Sequence, residues 1–307
     1  MLEIVHIQAE PIEQISYLAP TPGSQSVDRK QLPIYRGTVR GLPDCLKAVI
    51  VTSDLQGVME YTAFDGIGGE VERLADSCSI TMTDQQFIST TAPSSTRRRS
   101  HLLGEALPEM LELLLQMDWP HIHKEQVMLL LCGDLYADVQ KRGASGSPMA
   151  VWEAFQQTFV HMAAVSGNHD IFAEQEKKHI NTHQEAIWML EPQLQQMQDL
   201  HIAGLSGITG RPDKPNRMPE PDFLKQLGSL LRKSPDVLVM HQGPDDPSNC
   251  RPGDQNVRVE VEKYSPVLIC CGHVGWQTEQ GQEHYARLQN GTQVLNADGK
   301  VFILVAE

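Results

Sequence analysis

Short runs of aliphatic and β-branched residues recur along the chain, each ending in a polar or glycine-containing cluster. They cover residues 48–52, 127–132, 159–165, 237–240 and 267–271. Their length and composition predict strands. Within each run the apolar residues are continuous rather than alternating, the pattern of strands covered on both faces. Between the runs the spacing changes. Leu103, Leu107, Met110, Leu111 and Leu114 recur at helical intervals, as do Phe223, Leu224, Leu227, Leu230 and Leu231. Residues 149–156 and 174–190 are expected to add two further helices. Strand and helix alternate, so the fold class is α/β. Near the end, TQVLNADGKVFILVAE predicts a hairpin turning at Asp298-Gly299, and with it a second sheet.

Three stretches break this rhythm. Residues 59–100 hold DGIGGE, a polar middle and STTAPSSTRRRS, and read as an insertion between the first of the five runs and its helix. Residues 209–221 contain four prolines and read as irregular. The first forty residues carry a strand over 2–7 and then a connection punctuated by proline and glycine. There are no internal repeats.

Composition narrows the function classes. The 307 residues are 40 % hydrophobic and 21 % charged, an ordinary globular balance. The formal net charge of −14 argues against broad nucleic-acid binding, which needs a basic surface to release counterions. It leaves a phosphate substrate open, because a bound metal inverts the local potential. The six cysteines form no Cys-x-x-Cys pair, so neither a zinc ribbon nor a dithiol redox site is expected. No window has the apolar length of a membrane span, and the N-terminus lacks the features of a signal peptide, so a cytoplasmic location is the expectation.

The candidate chemistry follows the five runs. After the first come Asp54 and Gln56. After the second comes GDLYAD, with Asp134. After the third comes SGNHD, with Asn168, His169 and Asp170. His241 follows the fourth run, and His273 the fifth. In open α/β sheets ligands bind at the carboxyl ends of the strands, so these groups are expected to converge. A mixed carboxylate, amide and imidazole set suits manganese, iron or zinc.

In that order, Asp54-x-Gln56, Gly133-Asp134, Gly167-Asn168-His169-Asp170, His241 and Gly272-His273 resemble the calcineurin-like metallophosphoesterase superfamily. Its pattern is Asp-x-His, Gly-Asp, Gly-Asn-His-Asp/Glu, His, and Gly-His-x-His. The resemblance spans about residues 46–275. It implies a single domain over 1–307, folded as a four-layer α/β/β/α sandwich with two mixed sheets and a dinuclear metal centre. By the same resemblance, Asp134 bridges two metals, and Asn168, His241 and His273 complete the second metal's shell. Asp54 and Gln56 belong to the first. His169 contacts the phosphate and serves the leaving oxygen, with Asp170 as its orienting partner. The implied activity is hydrolysis of a small phosphomonoester or phosphodiester by direct attack of metal-bound water.

Two positions depart from the pattern, both at the first metal. Gln56 stands where histidine is usual, and Gly275 stands where the last histidine is expected. A strong second site and a weak first site follow, the latter favouring a hard ion, manganese first and magnesium next, over iron or zinc. His6, His284 or a residue of the insertion are the candidates to fill the gap left by Gly275. The other reading is a binding or scaffold protein with little catalysis, against which the retention of His169 argues. Elsewhere the plainer readings are favoured. His121 and His123 belong to a solvated loop, Arg97–Arg99 to a solvated tip, and Gly66–Gly69 to no nucleotide site. Trp276 is read as either pocket mouth or core.

Overall fold

The computed structural model describes residues 2–21, 26–63, 72–74, 97–180, 186–276 and 284–307. Among the described residues, eleven strands form one mixed sheet and six form a second. All five apolar runs are strands or lead into them. Ala48–Ser53, Val127–Leu131 and His161–Ala164 lie side by side and parallel in the larger sheet. Val237–Gln242 and Leu268–Gly272 are parallel neighbours in the smaller one.

Why the runs are continuously apolar is visible in where alternate residues go. Ala48, Ile50, Leu129 and Leu131 share a core with Leu103, Leu107, Leu111, Trp152 and Phe155 of helices Leu103–Asp118 and Met149–Thr158. Their neighbours Val49, Val51, Met128 and Leu130 face the other way. These form a second core with Ile202, Val237, Val239, Leu268 and Cys270 of the smaller sheet. The outward residues of that sheet, Leu238, Met240, Ile269 and Cys271, pack under Phe223, Leu227, Val257 and Val261 of helices Glu220–Leu231 and Gln255–Val261. A period of two with both phases buried leaves no polar phase. Each fully buried aliphatic side chain contributes roughly 1.5–3 kcal/mol, so the two sheets are bound mainly by these cores.

Several sequence expectations are corrected. Residues 293–306 are not a hairpin. Gln293–Asn296 pairs within the smaller sheet, and Lys300–Ala306 crosses to the larger, between Ala48–Ser53 and Val27–Arg40. Both segments are buried on both faces. Each therefore seeks two strand neighbours and cover above and below, which outweighs the turn preference of Asp-Gly. The N-terminal connection is instead two strands, Glu13–Pro20 and the fourteen-residue Val27–Arg40. Of the helix expected over 174–190, the described residues hold Glu174–Ile180, and Ala186–Trp188 is instead a strand on the edge of the larger sheet, with Ala186 and Trp188 buried. Part of the expected insertion extends the larger sheet as strands Val58–Ala63, Glu72–Leu74 and Arg97–Leu102. Gly66–Gly69 lies outside the described residues. His121 and His123 are exposed, and Trp276 is core, its indole N–H donating to the Pro252 carbonyl at 2.7 Å.

Candidate metal centre

Parallel pairing brings the carboxyl ends of the site strands to one edge, and the chain turns sharply there. Asp54, Asp134 and His273 each take a left-handed backbone, with φ of 56°, 53° and 70°. Such residues are uncommon outside glycine and gather where the surroundings over-determine the backbone. The surroundings here are specific. Asp54 N–H donates to the Gly133 carbonyl at 2.9 Å, and Ser53 Oγ donates to Asp54 Oδ2 at 2.7 Å. His273 N–H donates to the same Asp54 oxygen at 2.9 Å, which ties an end of the smaller sheet to the larger.

Asp134 lies at the middle of the cluster. Its Oδ1 accepts from the His169 N–H at 2.8 Å, and its Oδ2 stands 3.3 Å from His241 Nε2. Burial opposes the charge on Asp134, but His241 outweighs it and holds the carboxyl below its ordinary range. Burial likewise opposes charge on His241, yet Asp134 pushes the imidazole up to about 10. His241 Nδ1 is 2.8 Å from the Cys132 carbonyl, so it donates there and Nε2 is the atom aimed at the site. Burial, then the charge of His241, pulls His273 down to about 4 and keeps it neutral. Asp54 is pushed well above the carboxylate range, by burial first and then by the charge of Asp298.

Ligand atoms of Asp134, His241 and His273 all lie within 4.8 Å of one another. Asn168 Oδ1 is buried and has no hydrogen-bond partner among the described residues, while the equally buried His241 Nε2 faces the Asp134 carboxylate at 3.3 Å. A buried carbonyl oxygen without a donor costs roughly 1–3 kcal/mol, so an orphan of this kind calls for an explanation. A divalent cation taking the amide oxygen and the imidazole nitrogen supplies one. The donor set fits a metal.

The family model of the calcineurin-like phosphoesterases matches residues 48–276. The chain belongs to that family. A search of curated proteins finds no match to it. Among solved structures, a hypothetical protein from Thermus thermophilus is 12 % identical with a TM-score of 0.37, covering 62 % of this chain and 69 % of that one. A protein of unknown function from Aquifex aeolicus is 12 % identical with a TM-score of 0.30, covering 83 % and 95 %.

Within this calcineurin-like phosphoesterase two of the named residues sit differently from expectation. Asp170 does not orient His169. Its oxygens accept the backbone N–H groups of Asp134 at 2.7 Å, Gly167 and Leu135 at 2.9 Å and Tyr136 at 3.3 Å. With both oxygens so engaged, it fastens together the two loops that carry Asp134 and Asn168. The His169 ring instead has Ser145 Oγ 3.2 Å from Nδ1. Gln56 reaches the centre with its amide nitrogen donating to Asp134 Oδ2 at 3.0 Å. A half-turn of that amide exchanges its nitrogen and oxygen.

The ligand-bearing edge opens into a cavity of about 360 Å³ lined by Asp54, Gln56, Asp134, His169, His273 and Asp298. Lys30, Lys141 and Arg142 bring positive charge to the same cavity. Ser145, Asn216 and Asp298 were not visible as site residues in the sequence. Asn216 comes from the proline-rich 209–221 stretch, and its amide donates to the Gly167 carbonyl at 2.8 Å and to that of Asp170. Only Asp298, in its Asp-Gly dipeptide, carried any signal, and that signal pointed to a turn.

Proposed function

We propose that the protein is a metal-dependent phosphoesterase acting on a small phosphomonoester or phosphodiester. The observation that carries this is the buried Asn168 Oδ1, without a hydrogen bond among the described residues, beside the cluster of Asp134, His241 and His273. Asp134, Asn168, His241 and His273 would hold one ion; Asp54, Asp134 and Gln56 would take part in a second. Manganese is the ion favoured, and the three buried cores support the four-layer sandwich of the family. When bound, the ions supply Lewis-acid stabilisation of phosphate oxygens and a water activated near neutral pH.

The chain's own groups account for the rest. Lys30, Lys141 and Arg142 draw an anionic ester to a cavity whose floor is acidic. His169 is half-buried at the rim, held by its backbone N–H on Asp134. Its Nδ1 faces Ser145 Oγ, so Nε2 is the nitrogen left to give a proton to the departing oxygen. Gln56, a donor to Asp134 rather than an oxygen ligand in this arrangement, is the observation that favours the weaker reading, a binding protein of little activity.

Hydrolysis of chromogenic mono- and diesters by metal-stripped protein refilled with Mn²⁺ separates the two. Turnover that falls about 10²–10⁴-fold in His169→Ala is the expected result. Equal rates in the wild type and the variant, with every ion tried, would count for the binding protein.

A further inference from the structure

The first metal lacks the histidine that would stand at residue 275; of the suggested substitutes His6 and His284 are elsewhere, and most of the insertion lies outside the described residues. His284 is buried against Tyr35 and Phe302, with ring centroids 4.4 and 5.3 Å away, and shares a separate cavity with His6. A carboxylate occupies the vacant place. A Cβ built on Gly275 would collide with Asp298 Oδ2. We infer that Asp298 is the first metal's missing ligand, a carboxylate from the crossover between the two sheets standing in for the absent histidine. The inference rests on the phosphoesterase reading above.

The backbone of Asp298 is fixed where such a ligand needs to be. It bridges to Ser53, the residue before Asp54, and the next N–H, from Gly299, donates to the Ser53 carbonyl at 3.1 Å. Its own N–H donates to Asn296 Oδ1 at 3.2 Å, and Lys300 Nζ donates to its carbonyl at 2.9 Å. None of these contacts uses the Asp298 carboxylate. Its side chain lines the cavity beside Asp54, Gln56 and Asp134, and its charge is the strongest acting on Asp54. Asp134 has His241 beside it, but the carboxylates of Asp54 and Asp298 repel one another; a divalent cation is the ligand that resolves this.

The donor set also states the ion. Asp54, Asp134 and Asp298 offer oxygen alone, with the Gln56 carbonyl available by rotation of its amide. Oxygen shells select hard ions such as Mn²⁺ or Mg²⁺ and lose the preference for Zn²⁺ that imidazole confers. Asp298 is not in the compact group of Asp134, His241 and His273, so an ion has to draw the carboxylates together. That ordering cost makes this the weaker of two sites.

Mn²⁺ titration of the metal-stripped full chain, read from the free-ion paramagnetic resonance signal, tests this without any activity. The wild type is expected to take up two ions, one tightly and one weakly. Asp298→Asn, a residue suited to the same turn, should keep the tight ion and weaken the other at least tenfold. Gly275→Ala should do the same by pushing the Asp298 carboxylate aside, with the aspartate itself intact. Both ions bound with unchanged affinity in Asp298→Asn would overturn the inference. So would a wild type that binds one ion only, while leaving the phosphoesterase reading in place; a wild type that binds none overturns both.

Discussion

Asp170 shows how one side chain can carry a family motif for a reason other than reaction chemistry. It is fully buried, and four backbone N–H groups from residues 134–136 and 167 converge on its two oxygens. Two of those residues, Asp134 and Gly167, are a candidate ligand and the neighbour of one. The carboxylate therefore sets the distance between the loop after Val127–Leu131 and the loop after His161–Ala164. Removing it strands several buried donors, each costing roughly 1–3 kcal/mol where no water can replace the acceptor. Asp170→Ala is expected to destabilise the metal-free protein by on the order of 3 kcal/mol, read from the urea midpoint at constant slope. A loss below about 1 kcal/mol would show that the clamp is unimportant. The neighbouring His169 should behave in the opposite way. Its ring is half-buried against Ser145, so its loss belongs to turnover rather than to stability.

At the scale of elements, the site depends on two loops approaching more closely than side chains allow. Gly133 has φ of +92°, and a Cβ there would collide with the Gly167 backbone. Gly133→Ala combines a disfavoured backbone with a clash that no side-chain rotation relieves. An expected loss of about 2 kcal/mol or more, together with loss of the tight metal ion, would be read by denaturation and by metal counting on one preparation. This glycine and the strand before it were legible in the sequence. Runs such as Val127–Leu131 are apolar in both phases because both faces are covered, and few other environments ask for that pattern. Val27–Arg40 was not legible. Its first five residues are exposed, and only Leu32, Ile34, Tyr35 and Val39 mark a buried half. The crossover at Asp298 was missed for another reason. Local turn chemistry at Asp-Gly pointed to a hairpin, whereas the long-range pairing of Lys300–Ala306 with Ala48–Ser53 decides the path. Sequence order named the candidate ligands that follow strands, but only the fold could bring in Ser145, Asn216 and Asp298, whose contacts are distant along the chain.

For the whole molecule, the candidate ligands divide between the two sheets. Asp54, Asp134 and Asn168 follow strands of the larger sheet, while His241 lies in the smaller one and His273 follows its strand. The sheets already share an apolar core, yet at this edge the contact is polar and unfinished. Acidic groups crowd together, and Asn168 Oδ1 has no partner among the described residues. An ion bound there joins the sheets at the end where the core does not. Because it binds the folded chain and not the unfolded one, it stabilises by RT ln(1 + [M]/Kd), about 2.7 kcal/mol at a hundredfold excess over Kd. Stripping the protein with a chelator should therefore lower its thermal midpoint by a few degrees, and refilling with Mn²⁺ should restore it. The same comparison in His241→Ala discriminates the cause. That variant removes a ligand of the smaller sheet, so its midpoint should no longer respond to Mn²⁺ over the same range. A midpoint that still rises as in the wild type would mean that the stabilising ion sits away from this edge, and that the two sheets are held together here without it.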